Sequence, residues 1–105
     1  MHTLQNFNFK DGLVTEIQFR EEGNLRFTLQ TKHKITVNGE KKEIKVYTDC
    51  YMDNPNFFTL ENLQEGSLVC CTGYDISEKI QDVMGFQHNY RLFKVGSAKI
   101  YGIIN

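Results

Sequence analysis

The sequence predicts an all-β fold, a five-stranded Greek-key barrel with one short helix between its third and fourth strands. Three observations predict it. Apolar and polar residues alternate with a period of two through most of the chain, as they do in strands with one solvated face. Asn38-Gly39 separates two such runs and marks a tight hairpin, because both central residues of a type I′ turn need positive φ. A single break in the alternation, residues 53–65, carries helical spacing instead.

Residues 12–20, GLVTEIQFR, set Leu13, Ile17 and Phe19 against Val14, Glu16, Gln18 and Arg20 and read as the first strand. Glu21-Glu22-Gly23-Asn24 then supplies turn chemistry. In LRFTLQTKHKITV, Leu25, Phe27, Leu29, Ile35 and Val37 point one way and Arg26, Thr28, Gln30, Lys32 and Lys34 the other, a long half-solvated second strand. The returning run EIKVYTDCYM puts Ile44, Val46, Thr48, Cys50 and Met52 on one face and Lys45, Tyr47, Asp49 and Tyr51 on the other. In DNPNFFTLENLQE, Asn54 reads as a helix N-cap, Pro55 as the first helical residue, and Phe57, Phe58, Leu60 and Leu63 as helically spaced apolar positions, with Gly66 at the C-terminal end.

SLVCCTGYDIS returns to strand, with Gly73 marking a bulge or bend. EKIQDVMGFQHN, residues 78–89, reads as a long loop or flexible hairpin. YRLFKVGSAKIYGII is the last strand, broken or bent at Gly96-Ser97, and the apolar SAKIYGIIN is expected to be tied into the fold. Three strands, a helix and two strands make the order of the OB-fold, a five-stranded Greek-key barrel; a plain antiparallel sheet carrying one helix is the competing reading.

Composition narrows the function classes. With 105 residues, 40% hydrophobic and 24% charged, the chain fits one domain over 1–105 that buries roughly 65% of its unfolded surface. One proline and no low-complexity run leave no linker or disordered tail to be read. No window approaches the ~20 apolar residues of a membrane span, and MHTLQNFNFK lacks the apolar run of a signal peptide, so a cytoplasmic location is expected. Cys50, Cys70 and Cys71 are odd in number without C-x-x-C spacing, which argues for buried reduced thiols over a disulfide framework or zinc. His2, His33 and His88 are scattered and form no ligand set with acidic neighbours. There is no Walker glycine loop, nucleophile elbow or His-Glu metal pair, so no enzyme, metal or cofactor is expected.

The net charge of −1 excludes a globally basic binder and directs attention to where the charges sit. Five lysines, Lys32, Lys34, Lys41, Lys42 and Lys45, crowd into and around the Asn-Gly hairpin. If its strands pair, Lys32, Lys34 and Lys45 share a face with Tyr47 and Tyr51, Arg26 and Gln30 extend the row, and Lys41 and Lys42 stand at the tip. Lysine alone commonly blunts an exposed strand. Tyrosines on the polar face of an alternating strand are the unusual feature; they either stack on a ligand or pack against residues 78–89. Cations spaced to meet phosphates, with flat rings on which bases stack, are what binding a single nucleic-acid strand without reading its sequence requires.

A second cluster gathers Tyr74, Lys79, Phe86, His88, Tyr90 and Arg91 around the fourth strand and the segment after it. Phe86 is either a mobile stacking residue or an anchor tucked into the core, and Tyr74 either borders the groove or belongs to the core. Glu16, Glu21, Glu22, Glu61 and Glu65 fall elsewhere, so binding is expected on one side only.

Residues 12–104 resemble the bacterial single-stranded DNA-binding proteins and their shortened relative, primosomal replication protein B. Gly12-Leu13-Val14-Thr15 looks like the family's opening strand, and the lysine-rich hairpin like its second and third strands, whose loop bears basic residues. ENLQEGSLVCCTGYDIS, residues 61–77, is similar to the family's helix end, Gly-Ser, and fourth strand followed by glycine. The resemblance implies single-stranded DNA as partner, a role in replication, recombination or the primosome, contact with other replication proteins, and a groove bordered by the segment between strands four and five. The family's glycine-rich linker, acidic C-terminal tip and tryptophan are missing from this sequence, so tyrosine or phenylalanine is expected to stack, and the layout is nearest the tailless primosomal protein. One domain covers only ~4 to 16 nucleotides, so a homodimer or homotetramer is expected to lengthen the path. An OB-like protein adaptor and a single-stranded RNA binder are the alternatives; tyrosine is enriched and lysine depleted at protein interfaces, so the lysine row favours nucleic acid.

Overall fold

Asn38 and Gly39 both adopt positive φ, 52° and 80°, so the turn their sequence demands forms between β2 (Asn24–Val37) and β3 (Glu40–Asp53). The structure, a computed structural model, describes residues 7–104. His2 and Asn105, on which sequence expectations fell, lie outside the described residues. Before the hairpin runs β1 (Phe7–Glu21); after it come α1 (Phe57–Asn62), β4 (Ser67–Gln81) and β5 (Gln87–Ile103). The five strands close into a barrel in the order β1-β2-β3-β5-β4. β1 serves both sides of the closure, pairing Phe7–Leu13 with β4 and Leu13–Glu21 with β2. A short parallel contact, Cys50 with Phe93 and Tyr51 with Lys94, joins β3 to β5. This is the predicted five-stranded OB-fold, with its helix between β3 and β4.

The core is filled by the inward parity of each strand: Val14, Leu25, Phe27, Leu29, Cys50, Met52, Val69, Cys71, Phe93 and Val95, capped by Leu63 after the helix. The alternation of burial stops beyond Thr31 on β2 and Cys50 on β3. Ile35, Val37, Ile44 and Val46, inward by sequence, are 37% to 39% exposed. They lie on an arm that outruns its neighbours: β1 pairs with β2 only as far as Gln30, and β5 pairs with β3 only at Cys50 and Tyr51. An inward face with no opposite wall stays wet.

Three local expectations change. The helix N-cap is Asn56, whose Oδ1 accepts the Thr59 N–H at 2.8 Å. Asn54 instead takes φ 51° and donates its N–H to the Gly23 carbonyl at 3.0 Å, a left-handed conformation that a short polar side chain tolerates. Six residues are too few to present an apolar face, so Thr59 is buried while Phe57 and Phe58 stand exposed. Arg20 closes the helix from β1, its guanidinium donating to the carbonyls of Leu60, at 2.5 Å, and Leu63.

Of the two readings of residues 78–89, long loop or hairpin, the structure shows the hairpin. β4 and β5 stay in register from Ser77 and Arg91 out to Gln81 and Gln87, forming a second arm with a five-residue turn. Asp82 builds that turn: its Oδ1 accepts the N–H groups of Met84 and Phe86, each at 2.9 Å, and its Oδ2 lies 2.7 Å from His88 Nε2. β5 is bulged rather than broken, because Thr72 opposes Ser97 and Gly73 opposes Val95, leaving Gly96 over. Gly73 is required there, since a Cβ would collide with the Lys94 carbonyl. SAKIYGII is tied in as expected, with Ser97–Ile103 in β5 and the Ile104 N–H on the Gly66 carbonyl at 2.7 Å. No helix among the described residues is long and apolar enough to cross a membrane.

Candidate nucleic-acid interface

Residues directly opposite in an antiparallel ladder project from the same face. The β2–β3 register pairs Arg26 with Tyr51, Thr28 with Asp49, Gln30 with Tyr47, Lys32 with Lys45, Lys34 with Glu43 and Thr36 with Lys41. The outer face of this hairpin therefore holds Arg26, Lys32, Lys34, Lys41, Lys45, Tyr47 and Tyr51 in one field. Lys42 opposes Ile35 and lies on the reverse face.

Tyr47 is 59% exposed and does not pack away against the second arm. Tyr51 is half-buried, with the Arg26 guanidinium 5.2 Å from its ring centroid, a cation–π pair. Two acids temper the field. Glu43 Oε1 is 3.8 Å from Lys32 Nζ, an exposed pair that water screens to little. Asp49, between the tyrosines, is held by Gln18 Nε2 at 2.8 Å and Thr28 Oγ1 at 3.3 Å, which marks it as a local acceptor. Arg26 and five lysines against Glu40, Glu43, Asp49 and Asp53 leave the hairpin positive.

A cleft separates the two arms. It consists of two adjoining hollows of about 500 and 310 Å³ that share Lys10, Asp75 and Arg91, with Tyr47 on one wall. Arg91 thus meets the hairpin across the cleft. Lys79 and Phe86 sit further out on the second arm; Phe86 is 65% exposed at the turn beside the exposed Val83 and Met84 and is no core anchor. Tyr74 lies around the barrel from the hairpin, half-buried, with the edge of Phe7 against it at 5.5 Å between centroids.

Lys10 was missed by sequence reasoning. Its ammonium sits 5.0 Å over the Phe93 ring and 3.8 Å from Asp75, at the floor of the cleft. The alternation of Phe7 and Phe9 with Asn8 and Lys10 was the signal, and it carries the first strand back from residue 12 to Phe7.

Burial and hydrogen bonding shift several ionisable groups. Burial raises the Cys50 and Cys71 thiols, Cys71 to about 12, so both are inert packing groups; Cys70 is free and only half-buried. His88 does find an acid: its hydrogen bond, reinforced by the turn amides, lowers the Asp82 carboxyl. No group of three or more potential metal ligands occurs among the described residues.

No protein-family model matches the sequence, and no curated protein is similar to it. Solved structures are similar to it. The small single-stranded DNA-binding protein from Streptomyces coelicolor superposes with a TM-score of 0.70 at 12% identity, covering 94% of this chain and 96% of that one. The Plasmodium falciparum single-stranded DNA-binding protein in complex with single-stranded DNA gives 0.81 at 13% identity, covering 97% and 98%. A deletion mutant of the Thermus aquaticus protein gives 0.74 at 14% identity, covering 94% of this chain and 51% of that one. These likenesses establish the OB-fold.

Proposed function

We propose that this chain binds single-stranded DNA without reading its sequence, through the outer face of β2–β3 and the cleft beside the β4–β5 arm, as an accessory protein of replication, recombination or the primosome. Tyr47 carries the proposal. A ring 59% exposed, one pair along from Lys32 and Lys45 on the same face, has no folding purpose that threonine would not serve, and it offers a base its π-face beside two phosphate-seeking cations. Structural neighbours named for binding single-stranded DNA, one of them in complex with it, support the same reading.

A homodimer or homotetramer belongs to the proposal. The Phe7–Gly12 edge of β1 facing away from β4 has no strand partner among the described residues, and an open edge is a template for pairing with a second copy. Symmetry would then join short grooves into a longer path.

Titration of fluorescent oligo-dT, oligo-dA, the matching RNA and a duplex at several salt concentrations tests the function. Single-stranded DNA is expected to bind best, with log K falling against log salt at roughly −3.5 for five phosphate contacts at about −0.7 each. No binding of any strand at low salt overturns the proposal. Tighter binding of RNA or duplex would replace its ligand.

A further inference from the structure

Four cross-strand registers set one row of side chains around the barrel. Arg26 opposes Tyr51 across β2–β3, Tyr51 opposes Lys94 across β3–β5, Lys94 opposes Tyr74 across β5–β4, and Tyr74 opposes Phe7 across β4–β1. Registered partners project from the same side of the sheet. Neighbouring strands lie ~4.8 Å apart, so cation, ring, cation, ring and ring follow one another over roughly 19 Å, at right angles to the strands. The insertion of β5 between β3 and β4 is what puts Lys94 between two tyrosines that lie 23 positions apart in the sequence.

Contacts along the row are specific. The Arg26 guanidinium lies 5.2 Å from the Tyr51 ring centroid, and Phe7 meets Tyr74 at 5.5 Å and 72°. Lys94 is exposed and has no carboxylate within ion-pair distance among the described residues. Phe7 is 63% exposed, so its ring is available to solvent rather than spent on the core.

We infer that a bound strand does not stop at the β2–β3 face but continues along this row across β5 and β4 to β1, with Lys94 and Phe7 as further binding residues. The inference rests on the single-stranded DNA reading above and specifies its path. Two strand spacings, roughly 10 Å, separate Tyr51 from Tyr74, so successive bases are splayed onto separate rings with Lys94 meeting the phosphate between them. Such a path runs across the strands, whereas the lysine row of the hairpin runs along them, and the two meet at Arg26 and Tyr51.

The test compares two lysines of one strand. Lys99 opposes Cys70 and is exposed on the same side of β5, off the row. With oligo-dT, Lys94→Ala is expected to weaken binding severalfold and to flatten the salt slope by about 0.7, and Phe7→Ala to weaken it by roughly fivefold or more through lost stacking. Lys99→Ala should leave affinity and slope unchanged. Thermal melting checks that each variant folds, and sedimentation checks its state of assembly. Should Lys94→Ala bind like wild type or like Lys99→Ala, while Tyr47→Ala still weakens binding, the continuation falls and the function stands. An altered state of assembly in Lys94→Ala would make the row a contact between copies and overturn the inference. A wild-type protein that binds no single strand defeats both.

Discussion

Tyr47 and Lys45 stand two residues apart on β3 with their side chains on one face, and Gln30 and Lys32 oppose them on β2. A base on the ring and a phosphate on the ammonium would use both at once. Replacing Tyr47 by Ala or Lys45 by Glu is expected to cost about 1 to 3 kcal/mol of single-strand affinity, measured by fluorescence anisotropy, with circular dichroism unchanged because both side chains are solvated. Unchanged affinity in both variants would move the site elsewhere. The face shared by these residues was legible in the sequence, since a period of two assigns each side chain to a side as soon as Asn38-Gly39 fixes the hairpin. What lay beside each residue on non-adjacent strands was not legible. Lys94 alternates with Phe93 and Val95, which marks it as outward, but its seat next to Tyr51 depends on a two-residue parallel contact between distant strands, for which sequence carries no local signal.

At the scale of elements, the helix illustrates how a short segment is held from outside itself. α1 has six residues and buries only Thr59, so its own length gives it little cooperativity. Asn56 holds its start and Arg20 its end. Asn56→Ala should lower stability by about 1 kcal/mol, and Arg20→Ala by about 1.5 kcal/mol, the lower end for charge-assisted hydrogen bonds because the side chain is exposed. Urea denaturation measures both; single-strand binding should not change, since α1 lies away from the hairpin arm. Sequence reasoning placed the helix but took Asn54 as its cap, because Asn54 and Asn56 flank Pro55 symmetrically, and the left-handed φ of Asn54 and the Asn56–Thr59 hydrogen bond that separate them appear only in the structure. The second arm was legible only as a loop or a hairpin, without a choice between them, for a related reason. Strand periodicity reports burial on one side, and residues 78–90 are exposed on both faces apart from the Asp82 turn, so nothing in the pattern of apolar residues records the ladder.

Across the whole molecule, charge is segregated although it nearly cancels. Five lysines occupy one arm, while Glu21, Glu22, Asp53, Glu61 and Glu65 gather at the end of the barrel that carries α1. Such an arrangement orients an approaching polyanion toward the arm and repels it from the helix end. Binding at the arm end of the barrel, away from α1, is therefore expected. Amide shift mapping of the isotopically labelled protein during titration with oligo-dT tests it most directly. The largest changes are expected at Gln30, Lys32, Lys45, Tyr47 and Tyr51, with Glu22, Phe57 and Glu61 unmoved; changes concentrated around α1, with the hairpin silent, would contradict it.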